Sequence, residues 1–322
     1  MRRRATWAVG GMLAAAAVWG FTYLCTVWVL AEASTASFLA VRFLAAGALL
    51  VALRPGAVRA LTRREATAGA GLGVLLAAGI GLQVEGLRHI SPAVSGFVTT
   101  LYVVLTPLLG RVLLRRPVGR AGWAAALLAT AGLALLTLHG LAVDLGVALT
   151  LAGAVAYSFH LIGLSEVSTP DRALGLTAVQ LLVVGAAGAA WALAEGVRLP
   201  HRPGAWGWIL FCTVAATLLG YLVQTWAQGY VDATRAAVVF ATEPLFAAGF
   251  AALAGSPLGA RDLLGGALIL AGVLLPVARR RRLPVAAPPP DPAATPGPST
   301  PVAVAPGRAD RRSGAGEASG AA

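Results

Sequence analysis

The sequence predicts an all-α membrane protein of about ten transmembrane helices, built as two inverted five-helix repeats and followed by a disordered C-terminal tail. Three observations predict it: apolar runs of membrane-crossing length, arginines gathered on one set of connections, and a second half that echoes the first. The chain has 322 residues, 58% of them hydrophobic and only 12% charged. A soluble domain of that length needs more charge to cover its surface. Roughly 20 apolar residues, rising about 1.5 Å each, cross the roughly 30 Å of hydrocarbon in a bilayer.

Runs of this kind fall at 7–30, 37–53, 66–86, 92–114, 120–138, 145–165, 171–194, 205–228, 234–254 and 260–278. The connections between them are short, leaving no room for a soluble domain. The first run exceeds the ~7–15 apolar residues of a cleavable signal, so it reads as an uncleaved span behind Arg2, Arg3 and Arg4. The expected organisation is a cytoplasmic N-terminus at 1–6, a first repeat at 7–140, a second at 145–278, and a tail at 279–322. That tail is basic, then Pro- and Ala-rich with no apolar periodicity. Such a segment buries too little surface to offset the entropy of ordering it.

The net charge of +12 does not point to nucleic acid, because the arginines cluster between apolar runs rather than along one face. With the N-terminus in the cytoplasm, the inner segments hold 17 arginines and the outer ones hold 4: Arg88, Arg198, Arg202 and Arg261. That imbalance is the positive-inside pattern, and it asks for an even number of spans with both termini cytoplasmic. The expected location is the cell membrane, inner or plasma.

The repeat appears in two gapless matches. Leu13 to Cys25 (LAAAAVWGFTYLC) aligns with Leu151 to Gly163 (LAGAVAYSFHLIG), and Arg116 to Leu135 aligns with Ser256 to Leu275, at offsets of 138 and 140. Pro117 with Pro257, Gly119 with Gly259 and Ala131-Gly132 with Ala271-Gly272 argue against chance similarity of Ala/Gly/Leu-rich helices. Five spans per half make the second copy enter the bilayer from the opposite side. Two such units can open a central site alternately to either face.

Several of these residues also carry a resemblance. The Trp19-Gly20 pair, the Arg42-Phe43 pair, the Leu-Tyr-Val-Val-Leu-Thr-Pro run ending at Pro107, the Glu243-Pro244 pair and the Gly-rich ends of spans 5 and 10 resemble the EamA-type branch of the drug/metabolite transporter superfamily. The resemblance covers nearly all of 7–278 and implies a ten-helix secondary transporter; many members export amino acids or other metabolites. The family often has a Gly-Glu pair after spans 4 and 9, where this chain has Arg116-Pro117 and Ser256-Pro257, so no role transfers to those glutamates.

Polar residues within the spans ask for explanation, since an ionisable side chain at mid-bilayer costs about 2.5–3.5 kcal/mol on insertion scales. Glu243, near the centre of span 9, is a candidate proton-coupling or substrate-amine group, with a structural hydrogen bond as the bland alternative; loss of water disfavours a charged carboxylate. Pro244 and Pro107 deprive Phe240 and Val103 carbonyls of a donor, which marks either packing kinks or cavity-lining helix breaks. Arg42 is expected to snorkel outward or to form a structural ion pair, with an anionic substrate as the alternative. His160 and Tyr157 share one region of span 6, the histidine more simply a packing element than a relay. Gln83 and Gln224 are candidate cavity groups, and Glu85 either joins them or reaches interfacial water. Trp19, Tyr23 and Tyr102 are candidate cavity walls.

Cys25 and Cys212 lie in apolar runs without metal-binding companions and are expected to be inert packing residues. The glycine-rich stretches Gly69 to Gly73 and Gly265-Gly266 lack the residues of a phosphate loop and suit close helix packing. No cofactor or metal is implied. The expected function is secondary transport of a small metabolite or drug-like solute by alternating access, export being the direction the resemblance implies and proton coupling one route. Two other classes compete: an intramembrane enzyme acting on lipid-linked substrates, and a membrane scaffold or receptor. The expected partners are a small-molecule substrate and the lipid bilayer, with no nucleic acid; a homodimer is an assembly left open.

Overall fold

The computed structural model describes residues 2–114, 120–137, 144–255 and 259–280. The tail from 281 onward, Arg116-Pro117 and Ser256-Pro257 lie outside the described residues. Among the described residues every regular element is helical. The first half comprises α1 (Arg2–Leu30), α2 (Thr35–Leu53), the short α3 (Pro55–Arg59), α4 (Arg63–Gly86), α5 (Pro92–Thr99), α6 (Tyr102–Leu114) and α7 (Arg120–Thr137). The second comprises α8 (Leu145–Val167), α9 (Ala173–Glu195), α10 (Pro203–Phe211), a π-helical segment (Cys212–Leu219), α11 (Gly220–Gln228), α12 (Ala233–Phe240), α13 (Glu243–Leu253) and α14 (Ala260–Arg280).

Among the described residues eight stretches are helical, long and apolar enough to cross a membrane, and they coincide with expected spans 1–4 and 6–9. This is a multi-pass membrane protein. At the other two expected spans lie α7, of 18 residues, and α14, of 21, packed on each other.

Local chemistry sets where the helices begin. Ser34, Ser91, Asp144 and Asp232 each accept a backbone N–H at a helix start, and Thr62 with Glu65 forms a reciprocal capping box. Such caps satisfy amide donors that no helical carbonyl can reach.

Three expected spans are not continuous α-helices. Span 4 breaks at Thr100–Leu101 between α5 and α6, and span 9 breaks at Ala241–Thr242 between α12 and α13. Before the first break, the Thr99 and Thr100 hydroxyls donate to the Ser95 and Gly96 carbonyls, at 2.7 and 2.9 Å. Such back-bonding competes with the helical ladder. At the second, Thr242 donates to the Val239 carbonyl at 2.8 Å, and Pro244 opens α13 in a first-turn position where its missing N–H costs little. Pro107 is a different case from the one expected. It sits inside α6, beyond the break rather than at it. Span 8 is interrupted by the π-helical segment, a local widening common near functional sites.

Packing relates the two halves reciprocally. Helices α2 and α9 run antiparallel: a Cβ on Gly47 would sit 2.9 Å from Leu182, and one on Gly185 would sit 2.7 Å from the Leu44 side chain. Leu44 and Leu182 differ by 138, as do Gly47 and Gly185, so one contact is the counterpart of the other. At Gly185 the added Cβ would also lie 2.6 Å from the Leu44 backbone nitrogen, so a side chain there would drive the backbones apart, while at Gly47 the Leu182 side chain would have to shift. Other pairings come in matched sets: α4 on α8 with α1 on α11, and α6 on α8 with α1 on α13. The expected role of small residues holds at Gly73 against Val183 and at Gly132 against the Gly265 carbonyl.

The connections are tied at opposite ends of the α2–α9 pair. At one end Glu32 accepts from the His201 and Arg202 amides, and the Arg198 carbonyl accepts from the Ser34 amide. At the other, Arg172 pairs with Glu65 at 3.4 Å and donates to the Ala60 carbonyl.

Candidate functional site

A cavity of about 80 Å³ lies within the bundle, lined from α1, α2, α4, α5, α6, α8, α11, α12 and α13. That volume holds several waters or a small solute. Its wall brings together Trp19, Tyr23, Arg42, Gln83, Tyr102, Tyr157, His160, Gln224 and Glu243, side chains scattered over more than 220 residues of sequence.

Gln83 is the hub of the polar wall. Tyr157 donates to its Oε1 at 2.8 Å, while its Nε2 donates to Tyr23 Oη at 2.7 Å and to Thr99 Oγ1 at 2.9 Å. Because the Tyr23 oxygen accepts from Gln83, its own O–H is free to donate to the neighbouring Glu243 carboxyl. The hydrogen-bonded chain Tyr157–Gln83–Tyr23 therefore joins the two halves, and Glu243 neighbours its Tyr23 end. Shared hydrogen bonds in a low-dielectric interior reinforce one another, so a change at one end is felt at the other.

Around this network the remaining groups are individually anchored. Trp19 Nε1 donates to the Ala216 carbonyl of the π-helical segment at 2.8 Å, and its ring packs on Tyr221 and Phe240 at 5.2 and 5.0 Å. His160 Nε2 meets Gln180 Oε1 at 2.7 Å, and because an amide oxygen only accepts, that nitrogen carries the hydrogen. The packing role expected of His160 fits this bond, although the ring also faces the cavity. Gln224 donates to Gln228 Oε1 at 3.1 Å, and Gln228 donates on to Ser165 at 2.9 Å.

Arg42 departs from expectation. It does not snorkel, and among the described residues it has no ion-pair partner. The side chain is 3% exposed, its Nε donates to Thr217 Oγ1 at 2.5 Å, and its guanidinium lies over the Phe38 and Phe43 rings. The reason is tertiary. The face of α2 that carries Arg42 meets the π-helical segment, where Thr217 offers an acceptor within reach.

The sequence matches the EamA-like transporter family twice, over residues 6–138 and 144–278. The chain belongs to this family. A solved crystal structure, described in print only as that of a protein, is similar to the EamA-like chain in fold: its TM-score is 0.65 at 20% identity, over 86% of this chain and 99% of the other. Among curated proteins none matches the sequence.

Within this EamA-like chain, the repeat can be followed into the cavity wall. Trp19 with Tyr157 and Thr22 with His160 are offset by 138; Gln83 with Gln224, Thr99 with Phe240 and Tyr102 with Glu243 are offset by 141. Pro107 and Pro244 stand outside the wall, and Glu85 accepts from Thr35 at 2.6 Å near the helix end instead of joining it. Thr22, Thr26, Thr99, Tyr221 and Phe240 are wall residues that sequence reasoning passed over. Helical spacing was the available signal, because each lies three or four positions from a recognised wall residue. Thr217 and Gln180 had no such signal. Cys25 and Cys212 are both buried in one apolar cluster, side by side.

Proposed function

We propose that this protein is a secondary transporter that moves a small metabolite or drug-like solute through the cell membrane by alternating access. The observation that carries the reading is the convergence of equivalent positions from both halves, polar side chains among them, on one cavity inside an apolar bundle. The reciprocal Gly47–Leu182 and Gly185–Leu44 contacts support an inverted relation of two five-helix units, with α7 and α14 as the fifth and tenth spans. Units related in this way exchange conformations, and the cavity opens to each side in turn. The orientation is the one with both termini cytoplasmic, and export is the direction the family resemblance favours.

Glu243 is the coupling group. It neighbours Tyr23 and Tyr102, shares the cavity with Arg42 and His160, and lies beside the Tyr23 end of the hydrogen-bond chain that starts at Tyr157. A neutral carboxyl group can donate where a carboxylate only accepts, so proton uptake changes the hydrogen bonding open to the neighbouring Tyr23 and through it to the network. The test is solute efflux from proteoliposomes under an imposed pH gradient. Wild-type protein is expected to respond to the gradient and E243Q to lose that response. An unchanged response in E243Q overturns the coupling role, and the absence of any flux overturns transport itself.

A further inference from the structure

Two ionisable side chains face the cavity without pairing with each other. Glu243 enters from the start of α13 and Arg42 from α2, and no ion pair joins them. Tyr157 and Tyr221 stand within electrostatic reach of both. The carboxyl has Tyr23 beside it. The guanidinium is the incomplete partner: its Nε is satisfied by Thr217, whereas among the described residues neither terminal amino group has a hydrogen-bond or ion-pair partner. Open donors of a cation that lines a cavity are available to an anion held there.

The counterpart of Arg42 in the second half, 138 positions on, is Gln180. Its oxygen is taken by His160 and its nitrogen donates to the Leu176 carbonyl at 3.1 Å. Gln180 is consumed by structure and does not line the cavity. Arg42 is held just as firmly, by Thr217 and by the Phe38 and Phe43 rings at 5.6 and 5.3 Å, but with its fork open. Ring contacts of this kind orient a guanidinium without using its donors. A planar fork fixed in this way matches the two oxygens of a carboxylate.

We propose that Arg42 is the specificity-determining residue of the cavity and receives the carboxylate of a small organic acid, whose apolar body lies among Trp19, Tyr157, Tyr221 and Phe240. This assignment rests on the cavity being the transport site.

The test is equilibrium binding of radiolabelled phenylacetate to the full chain in detergent, compared with the uncharged phenylacetamide and the cationic phenethylamine. Phenylacetate is expected to bind at least about tenfold more tightly than the amide. Arg42→Met is expected to weaken it by ~30-fold or more, the range for truncating one partner of a buried charge pair. Arg42→Lys, which keeps the charge but loses the fork, is expected to fall between. Absence of phenylacetate binding, equal binding of acid and amide by wild-type protein, or tighter binding of the amine overturns the proposal, as does wild-type affinity in a monodisperse Arg42→Met. Should that variant not fold, the wild-type acid-to-amide ratio decides alone. Arg42-dependent binding without phenylacetate flux in proteoliposomes upholds the subsite and overturns transport. Flux of other solutes, indifferent to their charge and to Arg42, upholds transport and overturns the subsite.

Discussion

Spans 4 and 9 are the same device finished in two ways. Each is a helix broken at one depth, α5 to α6 and α12 to α13, and the residues that follow, Tyr102 and Glu243, occupy equivalent places on the cavity wall. Their neighbours differ. A Cβ on Gly20 of α1 would fall 2.6 Å from Phe246 Cβ and 3.0 Å from the Glu243 carbonyl oxygen. At the matching place in α8, Ser158 has room for a hydroxyl within 3.4 Å of the Tyr102 carbonyl. The break in the second half thus carries a carboxyl group and has a bare glycine of α1 pressed against it, while the break in the first half carries a phenol and meets Ser158 of α8 in a looser contact. A pseudo-symmetric frame supplies the break twice and assigns the ionisable role once.

Exchanges at the equivalent positions sharpen that comparison. The largest difference is expected between E243Q and Y102F in proteoliposome flux. E243Q loses pH-driven transport, whereas Y102F removes a hydroxyl with no hydrogen bond to another described residue and keeps flux within about threefold, less than the ~1.4 kcal/mol that corresponds to tenfold. A Y102F defect as deep as that of E243Q would mean the two breaks act alike.

Next comes the glycine contact. Gly20→Ser places the residue of the first-half contact into the second, and is expected to cost about 1–3 kcal/mol by overpacking against backbone. The reverse change, Ser158→Gly, removes a buried hydrogen bond to the Ala154 carbonyl at 2.9 Å and is expected to cost about 1–2 kcal/mol, including the entropy of a helical glycine. Melting temperatures in detergent measure both. Gly10→Ala, where nothing lies within 4 Å of the added Cβ, is the control expected not to destabilise.

The smallest effect belongs to proline. Pro244→Ala is expected to lower stability by only about 0.4–1 kcal/mol, through the unfolded chain, because Pro244 opens α13 after the break. A larger loss, with transport abolished, would make Pro244 the cause of the break.

Much of the wall was legible in the residues. Polar and aromatic side chains inside apolar runs are expensive in lipid, so Glu243, Gln83, Gln224 and Tyr157 announce themselves by residue type. The helix breaks were not, because Thr99, Thr100 and Thr242 act through local hydroxyl-to-carbonyl bonds that an apolar threonine-bearing run does not advertise. The inward turn of Arg42 was hidden for another reason: its partner, Thr217, lies 175 residues away on a π-helical segment.

Sequence by itself determined the membrane class, the position of the spans and the kinship of the halves. Those follow from apolar length, arginine placement and residue identity, which are properties of each segment summed along the chain. Only the tertiary structure decided where spans 4, 8 and 9 depart from α-helix, which glycines touch, and that Arg42 and Glu243 share one cavity without pairing. These depend on which helix faces meet, and a face has no partner until the bundle is packed.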